Sequence, residues 1–222
     1  MTPIQQLMLG AGGGEKVLGI DDVFSNYLYR GNATARSITN NIDLSKGGLT
    51  WIKPRSAGGN HSLFDTARGV TKYIRTNTNG VENNDANTLS AFNNNGFTLG
   101  SDTSINDNNV DYSSWSFKKQ EKFFDCVTWT GDSNTNQTIS HSLASIPGCI
   151  IAKRTDSSGD WTVYHRGAIG TTQNNSLKLN TTAAANNDNN WQEITSTSFR
   201  AYDDINVENG TFVAYLFAGG ES

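Results

Sequence analysis

Residues 48–53 read Gly-Leu-Thr-Trp-Ile-Lys, and one hundred residues further on residues 148–153 read Gly-Cys-Ile-Ile-Ala-Lys. Other landmarks recur at nearly the same spacing, since Trp115-Ser116-Phe117 falls over Tyr215-Leu216-Phe217. A fixed internal period indicates a duplicated structural unit. Residues that both copies keep are therefore expected to form the scaffold, and features that only one copy has are candidates for function.

The residue pattern within each copy is that of β-strands. Residues 211–217 alternate apolar and small or polar side chains with a period of two, as a strand requires, and no stretch shows a helical period. We predict six or seven strands per copy, with long polar loops at 79–96 and 182–198. Residues 118–122 are too short a link to act as a flexible tether, so the two copies are expected to pack on each other.

The predicted fold class is therefore all-β: two tandem, internally duplicated β-sandwich or jelly-roll-like units, related by a pseudo-twofold axis. The predicted domains are an N-terminal arm at 1–20, a first β repeat at 21–117 and a second at 118–222. Of the 222 residues, 10% are aromatic and 17% are charged, with a net charge of −4. A negative net charge argues against a surface that neutralises nucleic-acid phosphates.

Compartment signals favour folding in a reducing cytoplasm. The chain has no run of about 20 apolar residues that could span a membrane, and its first residues lack the basic and apolar segments of a signal peptide. Cys126 and Cys149 stand where the first copy has Asn26 and Leu49, so a disulfide of the shared scaffold is not expected. We predict two free thiols within strands.

The N-terminal arm stands outside the repeat. Its large aliphatic side chains precede the glycine-rich run at 10–14, which is flexible by composition. We predict a docking peptide on a glycine hinge that binds another protein, with a frayed tail as the alternative. The predicted partner-binding residues are Ile4, Leu7, Met8 and Leu9.

Catalytic signals are weak. His61, His141 and His165 have no histidine counterpart in the other copy, and no nucleophile elbow precedes a helix. We therefore predict no catalytic residues, no cofactor and no enzymatic activity. Arg68 and Arg166, which the two copies share, are expected to pair with a carboxylate or to brace a carbonyl at a strand end.

Two acidic loops, at 102–111 and 203–208, precede the last strand of each copy. A solvated turn is the leading interpretation, because the spacing lacks the glycine and the distal glutamate of a calcium loop. Calcium binding stays open, and Asp204 with Glu208 would be the only enzymatic candidates, as a glycosidase pair. No metal site is predicted.

The tryptophans divide into two groups. Trp161 and Trp191 have no tryptophan counterpart in the first copy, and Trp191 lies in a polar stretch, so both are candidates for binding a ligand or forming an interface. Trp51, Trp115 and Trp129 lie within predicted strands at positions shared by the copies and are predicted to be core residues.

Several phrases occur in a distinctive order along the chain: Gln5–Gly13, Gly48–Lys53, Leu63–Gly69, Asn95–Gly100, Trp115–Lys119, Lys122–Asp125, Ile146–Gly148, Trp161–Arg166 and Leu179–Ala184. Their sequence resembles a module of virion structural proteins from marine tailed phages, which are often tail-fibre-like or carry concanavalin-like β-sandwich domains. The resemblance covers essentially the whole chain and brings no set of catalytic residues with it.

The resemblance implies a non-enzymatic virion structural protein, assembled in the host cytoplasm, most often a component of a tail fibre or appendage that docks through its N-terminus. It also implies a homo-oligomer, with a trimer favoured by analogy to fibres. The expected partners are other virion proteins, with a host-surface glycan as a further possibility and neither nucleic acid nor membrane. The alternatives are a capsid decoration protein built from the same module and a lectin-like domain that recognises a receptor carbohydrate.

Overall fold

The computed structural model describes residues 18–134, 137–169 and 175–220, except for the side chain of Ile169. Regular structure in these residues is almost entirely antiparallel β, which confirms the all-β sandwich class predicted from the alternating pattern. Two single-turn α-helices and three 3₁₀ turns interrupt the strands. Among the described residues, no helix is long and apolar enough to cross a membrane.

The described residues of each copy form nine strands. In the first copy these are β1 (Phe24–Arg30), β2 (Arg36–Thr39), β3 (Gly48–Pro54), β4 (Ser62–Asp65), β5 (Lys72–Arg75), β6 (Asn83–Asn84), β7 (Leu89–Asn93), β8 (Gly96–Leu99) and β9 (Asp111–Lys118). In the second copy they are β10 (Phe124–Thr130), β11 (Thr138–Ser140), β12 (Pro147–Arg154), β13 (Thr162–His165), β14 (Asn175–Lys178), β15 (Asn186–Asn187), β16 (Trp191–Gln192), β17 (Ser198–Ala201) and β18 (Thr211–Ala218). The helices are α1 (Thr103–Asn106) and α2 (Arg166–Ile169), and the 3₁₀ turns are Ile20–Asp22, Leu44–Lys46 and Asp203–Ile205.

The two copies have the same sheet topology. The first forms a six-stranded sheet in the order β1-β9-β3-β4-β5-β6 and a three-stranded sheet in the order β2-β8-β7. The second forms β10-β18-β12-β13-β14-β15 and β11-β17-β16, so each strand has the number of its counterpart plus nine. The duplication seen in the sequence is thus a duplication of the fold.

The two stretches predicted as long loops contain strands. Residues 79–96 hold β6 and β7, and residues 182–198 hold β15 and β16. The prediction of six or seven strands per copy is therefore too low. For three of these strands the reason is physical: β6, β15 and β16 are only two residues long, and a two-residue strand has no period that a sequence pattern could reveal. β7 is five residues long and was missed within a polar stretch.

The sheets stack in four layers, because alternate side chains of the central strands are buried on opposite faces. In β18, Phe212, Ala214 and Leu216 face the core between the two sheets of the second copy, whereas Val213 and Tyr215 face the first copy. Successive side chains of a strand point to opposite faces of its sheet, so both faces of β18 are buried. The layers are a three-stranded sheet, two six-stranded sheets packed face to face, and a second three-stranded sheet.

The same hydrogen bond stabilises each sandwich. The Tyr29 hydroxyl donates to the carbonyl of Ile105 at 2.7 Å, and in the second copy the Trp129 Nε1 donates to the carbonyl of Ile205 at 3.0 Å. Buried tyrosine and tryptophan usually pair their polar atom in this way. Trp129 packs partly buried against the second core, in agreement with its predicted core role.

Buried asparagines fix the loop before the last strand of each copy. Asn106 donates to the carbonyls of Thr34 and Gly100, and Asn206 donates to the carbonyl of Asn134. A buried side-chain amide with its hydrogen bonds satisfied holds several chain segments in one arrangement. The acidic loops therefore have a structural role that the sequence predictions did not assign.

Candidate binding groove

The two six-stranded sheets meet in a cluster of apolar and aromatic side chains. It holds Phe124, Cys126, Trp161, Val213 and Tyr215 of the second copy against three residues of the first. This packing agrees with the prediction, made from the short link, that the copies contact each other. The residues contributed by the first copy are Leu49, Leu63 and Ile74.

A buried polar network crosses this contact. The Tyr215 hydroxyl donates to Asp65 Oδ2 at 2.6 Å, and Arg68 Nε donates to the same oxygen at 2.6 Å. Arg68 also donates to Glu82 at 3.1 Å and to the carbonyl of Leu63 at 3.1 Å. The Arg68 side chain is 3% exposed and that of Asp65 is 0% exposed, so each charge depends on the other for compensation.

The electrostatics of the network follow from burial. Desolvation raises the pKa of the Tyr215 hydroxyl well above its usual value, which keeps that group protonated as the donor to Asp65. The shared arginines were expected to pair with a carboxylate or brace a carbonyl; Arg68 does both, and Arg166 braces a carbonyl. Arg68 binds Asp65 and Glu82, and Arg166 donates to the carbonyl of Gly220 at 3.0 Å.

One edge of the contact between the copies is closed by Trp161. Its ring stacks on Tyr215 with centroids 6.4 Å apart, and its Nε1 donates to the carbonyls of Arg75 at 3.2 Å and Thr78 at 3.1 Å. Main-chain hydrogen bonds continue this edge: Glu82 N to Thr155 O and Gly159 N to Asn79 O, both at 2.9 Å. The loops of the two copies are joined here.

Beside this edge lies a groove of about 510 Å³, and its lining residues Thr76 and Asn77 lie between the two residues that accept from Trp161 Nε1. The indoles of Trp51 and Trp115 lie in its wall, with centroids 5.9 Å apart and planes at 64°. Leu179 is the one lining residue that comes from the second copy. The groove is lined by Trp51, Lys53, His61, Thr76, Asn77, Trp115, Phe117 and Leu179.

The groove exists because equivalent positions carry different side chains. His61 precedes β4 as Trp161 precedes β13, and both main-chain N–H groups donate to an asparagine Oδ1 at 2.9 Å, that of Asn77 and that of Asn180 respectively. The backbone frame is therefore the same in both copies. An indole fills the position in the second copy, and a smaller imidazole leaves it partly open in the first.

Few charges face the groove. Burial, followed by the positive charge of Lys53, lowers the pKa of His61, so the imidazole is neutral at pH 7. The Lys53 ammonium donates to the carbonyl of Pro54 at 3.3 Å. Two polar atoms of lining residues, Trp51 Nε1 and Thr76 Oγ1, are buried and have no hydrogen-bond partner. Buried polar atoms are normally paired, so these two are exceptions that the fold leaves unsatisfied beneath the surface of the groove.

Comparison with known proteins gives one family. The model of a domain of unknown function, DUF7483, matches residues 21–221. The chain belongs to the DUF7483 family. No curated protein and no solved structure matches it. The matched residues span both sandwiches, so the DUF7483 domain comprises the duplicated unit as a whole.

The two tryptophans predicted as ligand or interface candidates are both 0% exposed in this DUF7483 domain. Trp191 lies in β16 and packs against Phe199 in the core of the second sandwich, with ring centroids 5.7 Å apart. Its predicted role in an exposed loop is wrong, because the short strand turns its indole inward. Trp161 is buried between the copies, so its contact is internal to the chain and its indole is closed to an external ligand.

Trp51 and Trp115 were predicted as core residues, and the structure places them in the groove wall, half-buried. Comparison of the two copies could have indicated that Trp51 and Trp115 are not core residues. By strand register Trp51 corresponds to Ile151, and Trp115 corresponds to Tyr215. Both tryptophans are therefore features of one copy only, the criterion that singled out Trp161 and Trp191.

The four aliphatic residues predicted to dock the arm, Ile4, Leu7, Met8 and Leu9, lie outside the described residues. In the acidic loops, Asp102 caps α1 by accepting a hydrogen bond from Ser104 N at 2.9 Å, and Asp204 lies 3.6 Å from Lys178 Nζ. Within the described part of the DUF7483 domain, no group of three His, Cys, Asp or Glu side chains could hold a metal ion.

The cysteines behave as predicted. Cys126 and Cys149 are free, and burial raises the pKa of their thiols to about 12 and about 11 respectively. Cys126 lies in the cluster between the copies. A thiol that stays protonated at pH 7 is a poor nucleophile, which fits a packing role for both residues.

We expect the DUF7483 domain to lose stability as the pH falls from about 7.5 to about 5.5, in part through His141. This ring is 8% exposed, and its Nδ1 accepts a hydrogen bond from Leu143 N at 3.3 Å, which requires the neutral form. Burial lowers the pKa of His141, despite the opposing effect of Asp125. The unfolded state therefore binds more protons below about pH 6.5, and folding becomes less favourable there.

Urea unfolding at a series of pH values measures this dependence. A His141→Asn variant is expected to show a shallower loss of stability over the same interval than the parent protein. Equal slopes for the two proteins would contradict the assignment to His141. A His165→Asn variant, at an exposed histidine, is the matched control and should keep the parental slope.

Proposed function

We propose that this chain is a non-enzymatic structural protein of a virion. It would form part of a tail fibre or related appendage and dock there through its N-terminal arm. The observation that carries the proposal is the rigid joint between the two sandwiches. Trp161 and the buried network of Asp65, Arg68 and Tyr215 join them into one four-layer body. Such a joint suits a protein that transmits load or holds a fixed orientation.

The use of the buried charges also supports a structural role. Asp65 and Arg68 pair with each other and with groups of both copies. Their charges therefore stabilise the contact between the sandwiches. A catalytic pair would instead have to reach a substrate in a cleft. The proposed site of action in the cell is the virion, which is assembled in the host cytoplasm.

Deleting residues 1–14 tests docking through the arm. We expect the shortened protein to remain folded, because the sandwiches described from residue 18 onward hold their own cores, and to be lost from purified particles. The measurement is the amount of the protein per particle, by quantitative mass spectrometry. A second variant, in which Ile4, Leu7, Met8 and Leu9 are all serine, keeps the length of the arm and separates side-chain contacts from reach. Unchanged incorporation of both variants would refute docking by the arm.

The same measurement distinguishes the capsid decoration alternative. A decoration protein covers the capsid surface and is present in far more copies than an appendage protein. The proposal also expects a homo-oligomer, with a trimer favoured by analogy, and light scattering of the purified protein measures its mass. A monomer at all concentrations would remove the oligomeric part of the proposal.

A further inference from the structure

A long open strand edge lies along β1 of the first copy. This strand ends the six-stranded sheet, so one of its edges pairs with β9 and the other has no neighbouring strand among the described residues. The strand has seven residues, whereas the other edge strands of the first copy, β2, β6 and β7, have four, two and five. A long unpaired edge is a template for pairing with a further strand.

The hydrogen bonds at the two ends of the β1–β9 ladder show which groups of β1 face outward. Lys118 N donates to Val23 O at 2.8 Å, and Gly31 N donates to Val110 O at 2.7 Å. Hydrogen-bonded and non-hydrogen-bonded pairs alternate along an antiparallel ladder. The odd-numbered residues of β1 therefore bond to β9, and the even-numbered residues direct their main-chain N–H and C=O groups away from it.

The middle of this edge is accessible from both faces of the sheet. Leu28 is 56% exposed on one face and Tyr27 is 38% exposed on the other, so neither adjoining layer covers the strand there. Among the described residues, none bonds to the outward main-chain groups of Phe24, Asn26 or Leu28. The strand has no proline or lysine, and its register with β9 runs without a bulge, so it lacks the usual protection of an edge.

In the second copy the chain closes part of the equivalent edge itself. Gln120 N donates to Phe124 O at 2.9 Å, and Phe124 N donates back to Gln120 O at 3.0 Å, so the link between the copies pairs with the beginning of β10. Asp125 Oδ1 accepts from Cys126 N at 2.8 Å. The described residues before β1 form a 3₁₀ turn and give its edge no such hydrogen bonds.

We propose that β1 pairs with β1 of a second copy of this chain, antiparallel and about a twofold axis. With the axis at Tyr27, Asn26 lies opposite the partner's Leu28, and the outward N–H and C=O groups of these two residues bond to each other. The carbonyl of Arg30 already accepts from Arg36, and it lies at the end of this contact. The pairing joins the two six-stranded sheets into one continuous sheet.

Self-complementarity selects a second copy as the occupant. An open edge pairs with a strand whose own edge is open, and in the described residues the counterpart β10 is already partly used by the chain. A twofold contact presents the same surface from both sides, so each β1 supplies what the other lacks, and the contact closes as a pair. The two Tyr27 side chains become a cross-strand aromatic pair at the axis, which stabilises a sheet.

This inference goes beyond the proposed function and does not depend on it. Docking of the arm concerns another protein, whereas the β1 contact concerns a second copy. The two also differ in a measurable way, because the trimer favoured there rests on analogy and a twofold edge contact gives a dimer.

Sedimentation velocity of the intact protein, from about 1 μM to about 1 mM, measures the dimer. The decisive variant is Leu28→Pro, which removes an outward N–H that has no partner in the single chain; proline is tolerated in an edge strand at such a position. We expect it to unfold at the temperature of the parent monomer and to raise the dissociation constant of the dimer at least about tenfold. Leu28→Lys, which keeps the main chain intact, guards against misfolding and is expected to raise it at least about fivefold.

The matched controls are Thr128→Pro and Thr128→Lys. Thr128 is the exposed counterpart of Leu28 in β10, on the edge that the chain partly closes, where Gln137 Nε2 also donates to Thr130 O at 2.7 Å. Both controls are expected to keep the parental dissociation constant. Equal effects at positions 28 and 128 would contradict a contact along β1.

A cross-link tests the register. In Tyr27→Cys the two introduced thiols face each other across the axis in a non-hydrogen-bonded pair, whose Cα atoms lie about 4.5 Å apart, within the range of a disulfide. We expect a covalent dimer on mild oxidation. Ser25→Cys is the control, because its thiols would lie opposite the partner's Tyr29 and about 13 Å from each other along the strands. The native cysteines are the same in both variants.

Four results would overturn the proposal. They are a monomer at every concentration, an oligomer of any size that both Leu28 variants leave unchanged, equal cross-linking of Ser25→Cys and Tyr27→Cys, and a dimer that is lost when residues 1–14 are deleted. The last would make the arm the occupant of the β1 edge. Incorporation into particles is measured separately, so each of these results leaves the docking proposal standing.

Discussion

Replacing Arg68 with methionine is expected to lower the free energy of unfolding by about 3–5 kcal/mol, the usual cost of removing one partner of a buried ion pair. The physical reason is the carboxylate of Asp65, which would stay buried at 0% exposure with only the Tyr215 hydroxyl and main-chain groups to stabilise its charge. Glu82, 20% exposed, would lose its contact at 3.1 Å as well. Urea unfolding at pH 7 measures the change.

The control is a similar pair at the surface. Arg154 and Asp156 are 2.9 Å apart, with side chains 26% and 36% exposed, and Arg154→Met is expected to cost no more than about 1 kcal/mol. If the loss in Arg68→Met comes from the stranded carboxylate, adding Asp65→Asn should restore part of it, because a neutral amide is less costly to bury. A loss in Arg68→Met no larger than that in Arg154→Met would show that the network does not brace the sandwiches.

The fold class of this chain can be predicted from its sequence because the same strand pattern occurs in both copies. In the central strand β18, Phe212, Ala214 and Leu216 alternate with Val213 and Tyr215, so the all-β class follows from this period of two. The duplication follows from its counterpart β9, whose residues 115–117 match 215–217. The two-residue strands escaped detection, since their pairing is set by neighbouring strands rather than by their own residues. Trp191 was misassigned for that reason: its strand is visible only through its pairing with β17.

The groove could be predicted only in part. Comparison of the copies gives Trp51 over Ile151 and His61 over Trp161, which are the substitutions that create it. The sequence cannot say that a groove stays open beside the contact that Trp161 closes, because that depends on how the two sheets pack. It also cannot reveal that the Thr76 hydroxyl and the Trp51 N–H lack partners, since hydrogen bonding between distant segments is a property of the folded chain.

Truncating Trp161 to alanine is expected to lower the free energy of unfolding by about 3–5 kcal/mol, as for other large side chains removed from a core. The indole is 0% exposed and lies between the copies, so its loss leaves a cavity beside Tyr215. It also takes the indole donor from the carbonyl of Thr78, and it leaves the carbonyl of Arg75 with only the longer hydrogen bonds from Thr78. Urea unfolding measures the total loss. Hydrogen exchange shows which parts of the chain lose stability.

The region that is destabilised in Trp161→Ala shows whether Trp161 joins the two copies or only fills a core. The amides of Glu82 and Gly159 donate across the closed edge, so their exchange should accelerate by about tenfold or more in Trp161→Ala, whereas the amide of Leu99, within the first sandwich, should change less. The matched control is His61→Ala at the equivalent position of the first copy, where the groove is already open and a cost below about 1 kcal/mol is expected. Equal losses at positions 61 and 161 would mean that the two positions contribute equally to the contact between the copies. The joint and the open groove both require them to differ, because an indole at 161 fills a position that the imidazole at 61 leaves partly open.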